Sequence, residues 1–191
     1  MELCFATNNH HKHIEIRQKL GNAYKIASLS DLGISQELPE NQDTLEGNSE
    51  EKARFVHQLT GMDCFADDTG LEVEALNGDP GVLSARYAGD NKDPLANIEL
   101  LLKNLSGESN RRAQFRTVIT LIRRNQKHQF EGIVKGFILD TPRGKKGFGY
   151  DPVFQPEGFD QSFDEMPLEL KNTMSHRSRA LEKLISFLKN E

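Results

Sequence analysis

The sequence predicts an α/β protein with a mixed sheet, and three observations carry that prediction. Alternating, β-branched runs at 113–122 and 130–139 read as two antiparallel strands. Apolar residues at helical spacing recur at Ile98, Leu101, Leu102 and Leu105, and again at Ala180, Leu184, Phe187 and Leu188. Strands and helices mix without the regular strand-helix-strand rhythm of a fully parallel sheet.

Residues 2–7 read as the first strand, Asn8-Asn9 as a turn, and 12–20 as a short helix with Ile16 and Leu20 on one face. A second strand is expected at 24–29. After a polar loop at 37–47, a helix starts near Asn48, turns Ala53, Val56 and Leu59 inward, and ends at Gly61. The run Met62, Cys64, Phe65, Ala66 reads as a short buried strand and 71–76 as a half-buried one. Thr69-Gly70 is a breaker pair between them, so Asp67 and Asp68 fall at a strand end. Asn77-Gly78-Asp79-Pro80-Gly81 is a dense turn signal, and Pro94 opens the next helix. Thr141-Pro142-Arg143-Gly144 closes the second long strand, and Ser175 is placed to cap a last helix over 176–189.

A length of 191 residues suits one domain with one sizeable core, taken as 1–191. The net charge of −5 and the lack of a basic stripe argue against a non-specific nucleic-acid binder, so any phosphate must be held locally. Cys4 and Cys64 both fall in strands predicted to be buried, without metal-ligand spacing. Reduced thiols and a cytoplasmic location are therefore expected. The start of the chain has no export-signal pattern, and nowhere do about 18 apolar residues run together, so no membrane span is expected.

The paired acids Asp67 and Asp68 are a natural divalent-cation site, since magnesium takes oxygen ligands and needs only one or two protein carboxylates. A solvated turn is the plainer reading of the pair alone. The stretch Thr7, Asn8, Asn9, His10, His11, Lys12 joins strand to helix, where backbone N–H groups, a hydroxyl, amides and a lysine could hold an anion. It lacks the glycines of a phosphate-binding loop, and His10-His11 lacks a third metal ligand. Residues 144–152 gather three glycines, two lysines and two aromatics; Phe148 or Tyr150 offers a ring face for a nucleobase, a contact worth about 1–3 kcal/mol. Lys171, Ser175, His176 and Arg177 cluster at the start of the last helix. Lysine and arginine only donate hydrogen bonds, so a pocket lined by them accepts a 6-oxo purine and opposes the 6-amino group of adenine.

Five segments, taken together, resemble the inosine triphosphate pyrophosphatase family: Thr7-Asn8-Asn9 with Lys12; residues 66–71 around Asp67-Asp68; residues 80–89; residues 147–152; and Ser175-His176-Arg177. The likeness spans residues 3–188. The resemblance implies a two-lobed α/β fold with a long curved mixed sheet, flanking helices and a central cleft. It also implies a homodimer, dependence on Mg2+, and hydrolysis of ITP, dITP or XTP to the monophosphate and pyrophosphate. Carried over by position, Asp68 is the catalytic residue, and Glu40 with Asp68 holds the metal. Thr7, Asn8, Asn9, His10, His11, Lys12 and Lys52 face the phosphates, and Thr69 contacts the substrate. Phe148, Gly149, Tyr150, Asp151, Lys171, His176 and Arg177 face the base and sugar. Two readings stay beside this one: a Maf-like pyrophosphatase of pyrimidine or modified nucleotides, and a nucleotide-binding module without chemistry.

Overall fold

The computed structural model describes residues 2–21, 24–144 and 149–190. Among these, the elements run β1 (Glu2–Phe5), α1 (His10–Leu20), β2 (Lys25–Ala27), α2 (Leu45–Thr60), β3 (Cys64–Val73), β4 (Pro80–Gly81), α3 (Pro94–Asn104), β5 (Arg112–Arg123), β6 (Gln126–Ile138), β7 (Phe154–Pro156), α4 (Leu168–Met174) and α5 (His176–Lys189). The strand order is β2-β1-β3-β5-β6-β7, with β4 on β3. β1 runs parallel to β2 and β3, whereas β4 and β7 run antiparallel to β3 and β6, so the sheet is mixed, as predicted. Arg124 and Asn125, both with positive φ, join β5 to β6 in a two-residue turn that only an antiparallel pair accepts.

The chain divides into two compact units: Met1–Asp68 with Thr117–Gly132 and Arg177–Glu191, and Thr69–Arg116 with Ile133–His176. In the first unit, the alternation of β1 and β3 builds two cores. Leu3, Phe5 and Phe65 face α1 and α5, against Ile16, Leu20, Ala180, Leu184 and Leu188. Cys4, Ala6, Cys64 and Ala66 face the other way, onto Ala53 and Val56 of α2. Burial on both faces explains why these strands read as unbroken apolar runs. Parallel register sets Cys4 beside Cys64 and Phe5 beside Phe65; the two rings stack at 4.7 Å, and both cysteines are unbridged and buried.

The second unit packs Ile98, Leu101 and Leu105 from α3 and its end onto Leu71, Val73, Phe115, Val134 and Phe154. Asp93 caps α3 by accepting from the N–H groups of Leu95 and Ala96, with Pro94 in the first turn, where its missing N–H costs nothing. No helix among the described residues is long and apolar enough to cross a membrane.

Several expectations are corrected. Residues 64–73 form one continuous strand, so Asp67 and Asp68 lie in its middle rather than at an end. Gly70 does not break the strand; it allows close approach, because a Cβ there would lie 2.6 Å from the Gly81 carbonyl oxygen on β4. The second strand is shorter than 24–29, covering Lys25–Ala27. α2 begins at Leu45, capped by the Thr44 hydroxyl, and its buried stripe stops at Val56, leaving Leu59 53% exposed in the last turn. β4, β7 and α4 had no counterpart in the sequence reading.

Gly70→Ala is predicted to destabilise the protein by about 1–3 kcal/mol, as overpacking against a fixed backbone does. Chemical denaturation reads this directly, and a change below about 0.5 kcal/mol would mean that β4 yields freely.

Candidate active site

The alternation that separates the two cores of the first unit continues into the acidic pair. Positions 65 and 67 share one face of β3, and positions 64, 66 and 68 share the other. Asp67 therefore points toward α1 and α5, with no side-chain exposure. Lys12 Nζ of α1 lies 3.0 Å from its Oδ1, and Arg177 Nε of α5 lies 3.1 Å from its Oδ2. Arg177 also bonds the Glu15 carboxylate. Burial would raise the Asp67 pKa, but the charges of Lys12, Arg177 and Lys52 outweigh it and hold the carboxyl well below the usual range. The reverse holds at Arg177, where Glu15 and Asp67 overcome burial and keep the guanidinium charged.

Asp68 points toward α2. The buried stripe of that helix is Leu45, Asn48, Ser49, Lys52, Ala53 and Val56, polar in the middle and apolar at its ends. Lys52 Nζ bridges two carboxylates, 2.8 Å from Asp68 Oδ1 and 2.8 Å from Glu40 Oε1. Asn48 Nδ2 reaches Asp68 Oδ2 at 3.4 Å, and Ser49 Oγ pairs with Thr120 Oγ1 of β5 at 2.7 Å. Burial raises the Asp68 pKa even against the pull of Lys52 and Lys12. At Lys52, burial is overcome by Asp68 and Glu40, which raise its pKa. Glu40, Lys52 and Asp68, predicted from distant parts of the sequence, thus meet at one point.

The loop from β1 to α1 is closed on itself. Asn9 caps α1 by accepting from the N–H groups of His11 and Lys12, and Thr7 Oγ1 accepts from the N–H of Asn9. First-turn donors that the sequence offered to an anion are thus taken by a loop side chain. Asn8, His10 and His11 are exposed. Lys12 instead turns onto Asp67.

In the second unit, Lys171 Nζ sits 2.6 Å from Asp151 Oδ2, both buried, and 5.5 Å from the centre of the Phe163 ring. His176 stacks on Phe115 with ring centres 4.7 Å apart. The predicted cationic cluster therefore separates: Lys171 is held by Asp151, His176 by rings, and Arg177 by Asp67 and Glu15. Adjacent positions at a helix start diverge by about 100° around the axis, which sends their side chains to different neighbours. Tyr150 is also corrected. Its ring belongs to the apolar core and its hydroxyl donates to the Ser84 carbonyl at 3.0 Å, so it offers no free face to a base. Gly149 has φ +61°, Thr69 is half-buried within β3, and Phe148 lies outside the described residues.

Sequence reasoning missed Asn48, Glu15, Phe115 and Phe163. Asn48 lies four residues before Lys52, on the same helix face, and that spacing was a usable signal. No signal marked Glu15, an acid on a short helix that reads as solvated. Among the described residues, no three His, Cys, Asp or Glu side chains converge as a metal cluster. Glu40 and Asp68 nevertheless supply hard oxygen donors in the number magnesium uses, gathered on one cation.

The sequence profile of the Ham1 family matches residues 3–187. The chain is 52% identical over 188 residues to a dITP/XTP pyrophosphatase of Flavobacterium johnsoniae, covering 98% of each chain. It is also 52% identical over 190 residues to the protein of that name in Flavobacterium psychrophilum, covering 100% of each. Among solved structures, the Ham1 protein of Staphylococcus aureus superposes with a TM-score of 0.91 at 38% identity, over 100% of this chain and 99% of the other.

Because the Asp67 pKa is depressed on folding, its stabilisation is complete above the unfolded value near 3.9 and is lost as pH falls through the lower folded value. Asp67→Asn is predicted to cost about 3–5 kcal/mol at pH 7, since it strands two buried cations. In urea unfolding the gap to wild type should narrow steadily below about pH 4. A gap independent of pH would refute the ionised state of Asp67.

Proposed function

Since the chain belongs to the Ham1 family, we infer that it hydrolyses deaminated purine nucleoside triphosphates, ITP, dITP and XTP, to the monophosphate and pyrophosphate. The observation that supports this most is the meeting of Asp68 and Glu40 on the buried ammonium of Lys52. Two carboxylates held 2.8 Å from one cation form an acidic site whose charge is partly balanced before any substrate arrives.

Glu40 and Asp68 are the residues that would hold Mg2+, which supplies charge neutralisation to the polyphosphate when bound. The remaining work falls to the chain. Asp68 orients a water and takes its proton as the oxygen attacks the α-phosphorus. The bond to the β-phosphate oxygen breaks, and pyrophosphate leaves. Lys12 and Lys52 place positive charge near the phosphates, and most of the rate gain comes from positioning and electrostatics, as is usual in phosphoryl transfer. Asp67 holds Lys12 and Arg177 in place. In the second unit, Lys171, Asp151 and His176 form the base-facing set. The Lys171 ammonium donates to a keto O6 and repels an amino group. The same reading assigns Mg2+ as the metal, a homodimer as the assembly and the cytoplasm as the location.

Pyrophosphate release should be screened with ITP, dITP, XTP, ATP, GTP, UTP and dUTP, with and without Mg2+. Release from the deaminated purines alone, and only with the metal, is the predicted outcome. Preference for UTP or dUTP would point to a Maf-like enzyme, and tight ITP binding without release would point to a binding module. Asp68→Asn should lower kcat at least about 100-fold, as loss of a general base does, with the fold intact by circular dichroism. Near wild-type turnover would remove Asp68 from the mechanism.

A further inference from the structure

We propose that Asn48 is a positioning residue that sets the spacing between the Glu40 and Asp68 carboxylates, and so the geometry of the cation site that the preceding reading places on them. Asn48 is 2% exposed and lies one turn before Lys52 on α2. Its Oδ1 accepts from the backbone N–H of Gln42 at 2.9 Å, and its Nδ2 donates to Asp68 Oδ2 at 3.4 Å. One side chain thus ties Asp68 on β3 to the loop that carries Glu40, two residues before Gln42.

That loop has no regular secondary structure of its own, so its contacts with α2 fix its position. Four of them fall on adjacent turns of the helix. Asn41 gives its backbone N–H and its amide to the Glu51 carboxylate at 2.8 and 3.1 Å, Gln42 gives its N–H to Asn48, and Glu40 accepts from Lys52. Gly47 makes room for this docking: a Cβ at position 47 would lie 2.7 Å from Gln42 Cβ and 3.0 Å from Gln42 Cγ.

The chemistry at position 48 requires an amide. The side chain must accept on one side, from a backbone N–H, and donate on the other, to a carboxylate; asparagine does both, while alanine does neither. Aspartate would keep the acceptor but set a second negative charge against Asp68. Groups that orient metal ligands without touching the metal typically account for 10–100-fold in metal affinity or activity.

The test uses Asn48→Ala and, from the other side of the contact, Gly47→Ala, which leaves Asn48 intact but pushes Gln42 away. In the free protein, backbone hydrogen exchange at Gln42 should accelerate at least about tenfold in Asn48→Ala, as expected when a hydrogen bond is lost. Without nucleotide, Mn2+ binding followed by electron paramagnetic resonance should weaken about 10–100-fold in both variants. At saturating metal, kcat for ITP should fall about 10–100-fold in both, while the nucleotide KM stays within about threefold. An unchanged Gln42 exchange rate, or Mn2+ affinity and kcat within about twofold of wild type, would overturn the proposal. If wild type binds Mn2+ but releases no pyrophosphate, the reaction assignment fails and the metal and exchange measurements still decide the role of Asn48. Wild type that binds no Mn2+ would overturn the cation site and the proposal together.

Discussion

Successive residues on a β-strand point to opposite faces, and in the first unit that constraint falls on two adjacent carboxylates. Asp67 follows Phe65 to the face of α1 and α5, and there meets Lys12 and Arg177. Asp68 follows Cys64 and Ala66 to the face of α2, and meets Lys52 and Asn48. Two carboxylates that would repel each other on one face instead bond separate partners, while the charges of Lys12 and Lys52 act on both. The pKa directions agree with this, because Asp67 is pushed down while Asp68 is pushed up. One is an anchor for cations, and the other is the more readily protonated of the pair.

Burying so many charges carries a cost. A buried ion pair rarely stabilises a fold more than well-packed apolar residues of the same volume would. Arg177, Lys52 and Asp67 are nevertheless almost wholly buried in a unit whose strands and helices supply ample apolar surface. Stability alone does not account for them. What they supply is orientation: Asp67 fixes the heads of Lys12 and Arg177, and Lys52 draws the Glu40 loop to β3. α2 shows the same compromise along its length, since Leu45, Ala53 and Val56 seat the helix while Asn48, Ser49 and Lys52 occupy core positions with polar groups.

Much of this was legible in the sequence where a periodic pattern was long. The α3 stripe of Ile98 and Leu101, the spans of β5 and β6, and the last helix from His176 to Lys189 match their predictions closely, although β5 alternates only as far as Arg116 and is buried on both faces beyond it. The short elements α4 and β7 span too few residues to show a period. Gly70 misled because its role depends on Gly81, eleven positions later, and no local rule distinguishes a breaker from a close-approach glycine. At the site, Asp68 stood out as one of two adjacent acids, Glu40 and Lys52 were identified through the family resemblance, and the structure brings the three together. The free ring face expected of Tyr150 and the grouping of Lys171, His176 and Arg177 differ from expectation for one reason: side-chain direction at a loop or helix start is set by tertiary partners such as Ser84 and Asp151, which spacing does not reveal.

Double-mutant cycles on the free energy of unfolding test the division of the two carboxylates most directly. Asp67→Asn should be combined first with Arg177→Met, its partner on the same face, and then with Asn48→Ala, on the opposite face. A coupling of about 1–3 kcal/mol is expected for the first pair and no more than about 0.5 kcal/mol for the second. Couplings of equal size, or a larger one with Asn48, would contradict that division.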